Sequence, residues 1–182
     1  MKRDLADHGR KTGLGMAGLM LLSSFSVLAA DNVQFRGALV AEPCVIAPGE
    51  ESLQLDFGTV IDKYLYLNKR TLGQPFEIHL TTCDLSLGNT LTVTFSGKEN
   101  LKLPGLLALD AASQASGIAL GIETLENKPL PLNKPGQKIL LAAGSNRIAF
   151  KAYVKGEPEA IAKETIERGP FSAVATFLLE YE

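Results

Sequence analysis

Two cysteines, Cys44 and Cys83, are the residues in this chain whose type most directly suggests chemistry. A thiol redox pair calls for close Cys-x-x-Cys spacing at the start of a helix. Neither condition is met, and the alternative is a structural disulfide. Acid–base and metal chemistry are poorly supplied. Of the two histidines, His8 lies in the leader described below, and His79 stands with no Cys or His neighbour at metal-ligand spacing. His79 falls on the strand face opposite Phe76, Ile78 and Leu80, which makes it a surface or interface side chain. The chain has no Gly-x-Ser-x-Gly elbow, no Ser-x-x-Lys and no glycine-rich phosphate loop. Its carboxylates, among them Glu50, Glu51, Glu157, Glu159, Glu164 and Glu167, lie in polar stretches where charge is ordinarily solvated. These residues imply no catalytic group, no metal and no cofactor; the chain reads as a non-enzyme.

The first 29 residues account for the compartment. Lys2, Arg3, Arg10 and Lys11 precede an apolar run from Leu14 to Leu28, and small residues follow at Ala29 and Ala30. This is the pattern of a secretory signal peptide, and the run is short of the roughly 20 residues that span a bilayer. Cleavage after Ala29 leaves a chain with no expected membrane span. It removes four basic and two acidic side chains, so the formal charge moves from -2 to -4. A mildly acidic remainder is a poor partner for nucleic acid or an anionic membrane. Export also places Cys44 and Cys83 where disulfides form and persist. Closing that loop stabilises the fold by about 4 kcal/mol in the chain-entropy account.

The elements that would position these residues are strands. Val33, Phe35, Gly37, Leu39 and Ala41 alternate with Asn32, Gln34, Arg36, Ala38 and Val40, an extended segment that ends at Pro43. Leu53, Leu55 and Phe57 suggest a short strand, while Val60 to Leu67 is apolar but unassigned. Further alternating sets are Phe76–Ile78–Leu80–Thr82, Leu91–Val93–Phe95, Ile118–Leu120–Ile122 and Ile148–Phe150–Ala152–Val154. Turn residues separate them at 86–89, 103–105, 127–131, 134–136 and 144–146. Residues 158–168 are the one helical candidate, with Pro158 at a first helical position and Glu159–Lys163 and Glu164–Arg168 spaced for i,i+4 pairs. Short strands at regular spacing argue for an all-β sandwich. The final stretch, 169–182, sets Phe171, Ala173, Ala175, Phe177, Leu179 and Tyr181 on one face and Ser172, Val174, Thr176, Leu178 and Glu180 on the other. Both faces are largely apolar, which predicts a strand covered on both sides. It is either an ordinary terminal strand or one that meets a partner.

Four features coincide: an alternating segment before the first cysteine, a single Cys44–Cys83 pair, Gly169 at the fourteenth position from the end, and the penultimate Tyr181. Together they resemble the pilin subunits of the chaperone–usher pathway over essentially the whole chain after the leader. The stretches Phe35-Arg36-Gly37-Ala38-Leu39, Pro43-Cys44, Ala152-Tyr153-Val154, Pro158-Glu159-Ala160 and Ala173-Val174-Ala175-Thr176-Phe177 look most like the minor tip and adaptor pilins of P-type pili.

The resemblance implies an incomplete immunoglobulin-like β-sandwich that lacks its final strand and is completed by a strand from a periplasmic chaperone or from a neighbouring subunit. It implies residues 1–29 as signal peptide, 30–43 as an N-terminal donor extension and 44–182 as the pilin domain. Val33, Phe35, Gly37, Leu39 and Ala41 would face the acceptor, with Gly37 admitting close backbone approach. Gly169, Phe171, Ala173, Ala175, Phe177, Leu179, Tyr181 and Glu182 would line the groove and meet the chaperone, the carboxylate of Glu182 being held by basic groups. An outer-membrane usher and neighbouring pilin subunits would be the other partners, and the cell-surface fimbrium, reached through the periplasm, the destination. A sandwich missing one strand leaves large apolar side chains wet at about 1.5–3 kcal/mol each, so the isolated subunit is expected to be unstable. The alternative, a secreted carbohydrate-binding β-sandwich module, wants an exposed aromatic platform. The chain has no Trp, and Tyr64 and Tyr66 are its one close aromatic pair of this kind.

Overall fold

A computed structural model describes residues 36, 37, 39 and 41–182. The leader, Val33 and Phe35 lie outside the described residues. The chain divides into two units, 1–38 and 39–182. Of the first, Arg36 and Gly37 are described, both exposed and outside regular structure.

The second unit is built from nine strands and two short helices. In chain order they are β1 (Val45–Ile46), α1 (Asp62–Asn68), β2 (Gln74–Cys83), β3 (Thr90–Ser96), β4 (Glu99–Asn100), β5 (Leu103–Leu107), β6 (Ile118–Glu123), β7 (Pro135–Leu140), β8 (Gly144–Gly156), α2 (Pro158–Lys163) and β9 (Thr176–Tyr181). One sheet has six strands in the order β1-β2-β8-β6-β5-β4, the other three in the order β7-β3-β9. Every pairing is antiparallel.

Period-two alternation explains the core. Ile78 and Leu80 of β2, Leu91, Val93 and Phe95 of β3, and Ile148 and Phe150 of β8 are buried in one cluster between the sheets. Phe76, Phe95 and Phe150 stack within it, with ring centroids 5.1–6.1 Å apart, at separations favourable for tilted and edge-to-face aromatic pairs. The far end of β8 is covered on its other face as well. There Val154 packs with Leu65 of α1, Ala115 and Ile118, flanked by Ile161 of α2 and Ile166.

Several sequence expectations change. Leu53–Phe57 is not a strand: Leu55 and Phe57 are half-buried, yet among the described residues no partner ladder runs beside them. Alternation reports which side chains are covered; pairing needs a neighbour. Val60–Leu67 resolves into the two residues before α1 and most of α1 itself, which buries Leu65 and ends where Lys69 turns left-handed and donates its N–H to Leu65 O at 2.7 Å. The expected turns at 103–105 and 134–136 lie largely in strands β5 and β7. Proline is tolerated as the first residue of an edge strand, and Pro135 occupies that place. The helix predicted over 158–168 starts at Pro158 but stops at Lys163, because Glu164 adopts φ 52°. Arg168 therefore pairs with Asp62 at 2.6 Å instead of with Glu164.

Candidate functional site: an open sheet edge

The last twelve residues alternate in burial without interruption. Phe171, Ala173, Ala175, Phe177, Leu179 and Tyr181 turn inward against the main core. Ser172, Val174, Thr176, Leu178 and Glu180 face outward. The outward face is bare, with Val174 73% and Leu178 53% exposed. The expectation of a strand covered on both sides is therefore corrected: one face is covered. The paired part is also shorter than 169–182. β9 spans Thr176–Tyr181, in register Phe177↔Phe95, Leu179↔Val93 and Tyr181↔Leu91.

That register shows what is missing. On β3, which has a neighbour on each side, Leu91, Val93 and Phe95 are 0%, 3% and 5% exposed. Their partners on β9 point into the same core and remain only half-buried. Among the described residues, β9 pairs with β3 alone. One row of backbone N–H and C=O groups along β9 has no strand of the described residues beside it, and among those residues its inward side chains lack the neighbour that would seal them. Edges of this kind are commonly blunted by shortness, proline or lysine. β1 and β4 are two residues each, and β7 opens with Pro135 and carries Lys138. β9 has none of these devices.

The segment before β9 leaves β3 and binds a loop joined to the other sheet. Pro170 O accepts from the N–H of Gln114 at 2.9 Å, and Ser172 O accepts from the N–H of Asp110 at 2.8 Å. Ser172 N–H donates to Ser113 Oγ at 3.0 Å, and Ser172 Oγ–H donates to Asp110 Oδ2 at 2.8 Å. Gly169 is needed here: a Cβ at that position would lie 2.6 Å from Gln114 Cβ. Gly169 thus fits closely against Gln114 and Ala115 just ahead of the inward row. Phe57 borders the row's beginning, its ring 6.3 Å from that of Phe171. It is a residue that sequence reasoning left out of the site; its half-burial in an irregular segment has no local signature.

At the other end, Glu182 is tied into the fold. Its backbone oxygen accepts from the N–H groups of Asn89 and Thr90 at 2.9 and 3.0 Å. Its side chain pairs with Lys138, both groups being exposed. Burial, helped by the charge of Glu42, pushes the phenol of Tyr181 above its ordinary pKa. Cys44 and Cys83 form a disulfide with Cα atoms 4.1 Å apart, joining the approach to β1 to the end of β2. Of the expected donor residues, Gly37, Leu39 and Ala41 are exposed and carry no regular structure. The Tyr64–Tyr66 pair forms no platform, since Tyr66 is half-buried with its hydroxyl accepting from the N–H of Ile166 at 3.2 Å.

Away from the edge, Glu123 is fully buried and holds Arg70 through two bonds of 2.8 Å. The guanidinium also stacks 3.5 Å over the Tyr153 ring. Its bonds to Glu123 hold that carboxyl below its ordinary range. This is a structural clamp between the α1–β2 connection, which carries Arg70, and strands β6 and β8. No cluster of three metal-ligating side chains occurs among the described residues. The arrangement is suited to accepting an extended segment: backbone groups for a ladder, and apolar side chains at a period of two beneath it.

Residues 33–182 match the family model described as fimbrial protein. Fimbria A protein of Serratia marcescens is 30% identical, over 91% of this chain and 92% of its own length. The fimbrial adapter PapK of Escherichia coli is 32% identical, over 88% of this chain and 92% of its own. The crystal structure of the P pilus rod subunit PapA aligns with a TM-score of 0.66 at 23% identity, covering 78% of this chain and 100% of that one.

Proposed function

This chain belongs to the fimbrial protein family, structural subunits of surface fimbriae, and we propose that it enters its fimbria by accepting a strand at the open edge of β9 and donating one from residues 30–43. Its fold is an all-β, immunoglobulin-like sandwich that lacks its last strand. In this reading residues 1–29 are the cleaved leader and 44–182 the accepting domain. A periplasmic chaperone fills the edge first, and an outer-membrane usher then exchanges that strand for the extension of the neighbouring subunit. Phe171, Ala173, Ala175, Phe177, Leu179 and Tyr181 take the donor's side chains. Val33, Phe35, Leu39 and Ala41 are the side chains offered, and Gly37 is where the two backbones come nearest. The similarity to the adapter PapK supports a minor tip or adaptor position.

The observation that carries this reading is the contrast between the sealed row on β3 and the half-sealed row opposite it on β9. The test is thermal melting of the domain from Glu42 onward with and without a peptide spanning Ala30–Ala41. Peptide at 100 times its Kd adds about 2.7 kcal/mol, which at roughly 2–4 °C per kcal/mol for this size raises Tm by about 5–10 °C. A Gly37→Leu peptide is expected to give no shift. An unchanged Tm with saturating wild-type peptide would sink the proposal.

A further inference from the structure

His79 is the one described side chain bridged by two carboxylates on its two ring nitrogens. Nδ1 lies 2.8 Å from Glu50 Oε1, and Nε2 lies 2.9 Å from Glu77 Oε2. We infer that His79 is a proton-operated clasp: charged, it ties the loop after β1 to β2 through Glu50, and neutral, it lets that loop go.

The chemistry of the ring carries the argument. An ionised carboxylate only accepts hydrogen bonds, and a neutral imidazole has a single N–H to give. Both contacts are satisfied together only when both ring nitrogens carry protons. Loss of one proton strands one carboxylate against a lone pair. Glu50 is the partner with less to fall back on. Its second oxygen, Oε2, is buried and accepts no hydrogen bond from the described residues. Glu77 retains the Arg147 guanidinium at 3.9 Å.

The surroundings favour the charged ring. Glu77 shares β2 with it, Glu50 comes from the loop, and Arg147 faces it from β8, in register with His79. The other acidic group of the loop, Glu51, turns back to accept from the N–H of Gly49 at 2.9 Å. β1 places no titratable side chain against the ring. The hydrogen bonds to Glu77 and then Glu50 outweigh the partial desolvation of the ring and the smaller opposing charge of Arg147, and raise the imidazole above its ordinary 6.5.

The Cys44–Cys83 disulfide pins the approach to β1, but the loop beyond β1, which the clasp holds, has few other ties. β1 is two residues long, and the loop beyond it is fastened by Ala47 N–H to His79 O and Glu50 N–H to Ala47 O, each 3.0 Å. Because the folded-state pKa is raised, the clasp is fully present below 6.5 and is lost as pH rises through the raised value. The inference stands apart from strand acceptance at β9.

The test follows the ring and the loop separately in the folded full chain, with His8→Gln leaving His79 as the sole imidazole. NMR titration of a ring-labelled sample is expected to give a midpoint above 6.5, lowered in both Glu50→Gln and Glu77→Gln. Amide exchange at Ala47 and Glu50 is expected to climb across that midpoint more steeply than base catalysis alone requires. The extra climb disappears in His79→Gln and in Glu50→Gln, so one variant that folds poorly leaves the other to decide. A midpoint at or below 6.5, a midpoint indifferent to both glutamine variants, or exchange of ordinary slope throughout overturns the inference.

Discussion

Replacing Glu123 by Gln separates packing from electrostatics, because the two side chains have nearly the same shape. Glu123 is 0% exposed, and both its oxygens accept from Arg70 at 2.8 Å, with Lys151 Nζ a further 3.9 Å from Oε1. The amide can keep one acceptor; its NH₂ then faces a guanidinium that also only donates. Removing one partner of a buried pair costs about 3–5 kcal/mol because the remaining charge is stranded. Arg70 keeps 33% of its side chain in solvent and its stack on Tyr153, so the lower end applies, about 3 kcal/mol. At roughly 2–4 °C per kcal/mol for a domain of this size, Tm falls by about 6–12 °C. Urea unfolding of wild type, Glu123→Gln, Arg70→Met and the double variant forms a closed cycle, in which the double variant is expected to be more stable than Glu123→Gln alone. The pH dependence has a definite sign. Glu123 titrates below its ordinary 4.5 in the folded state, so its contribution is complete above that value and is lost as pH falls through the lower one. The gap between wild type and Glu123→Gln should be flat at pH values well above 4.5 and should close only as pH falls past that value through the lowered one. A cost under about 1 kcal/mol, or costs that simply add in the double variant, would refute this account of the clamp.

The remaining expectations concern the backbone and the disulfide. Gly169→Ala brings a Cβ to 2.6 Å from Gln114 Cβ, and the forced shift should destabilise by about 1–3 kcal/mol, read from the urea midpoint. Reduction, or Cys44→Ala with Cys83→Ala, frees a loop whose ends are 39 positions apart and should lower stability by about 4 kcal/mol in the chain-entropy account. Oxidised and reduced samples compared in the same denaturant series measure that loss, and coincident curves would count against it.

Several features of this protein are legible in the sequence alone. The inward set Phe171, Ala173, Ala175, Phe177, Leu179 and Tyr181 follows from a period of two, a property of neighbouring residues that needs no knowledge of the fold. The strands around Ile78–Leu80, Leu91–Phe95 and Ile148–Val154 and the pairing of the two cysteines were readable for similarly simple reasons. The order of strands was not. Whether β9 has one neighbour or two depends on which segments return beside it, and no local pattern encodes that. This is why a strand apolar on both faces suggested two covered sides, whereas Val174 and Leu178 stand exposed. The same limit applies to charge. Glu123 looks like any acidic residue near a turn until Arg70, 53 positions away, closes over it. His79 looks like a lone surface histidine until Glu50, 29 positions away, reaches its ring. Side-chain type and spacing determined what each segment could cover. Which backbone edge stayed open, and which charges met, was decided by long-range antiparallel pairing, because only that brings distant residues within bonding distance.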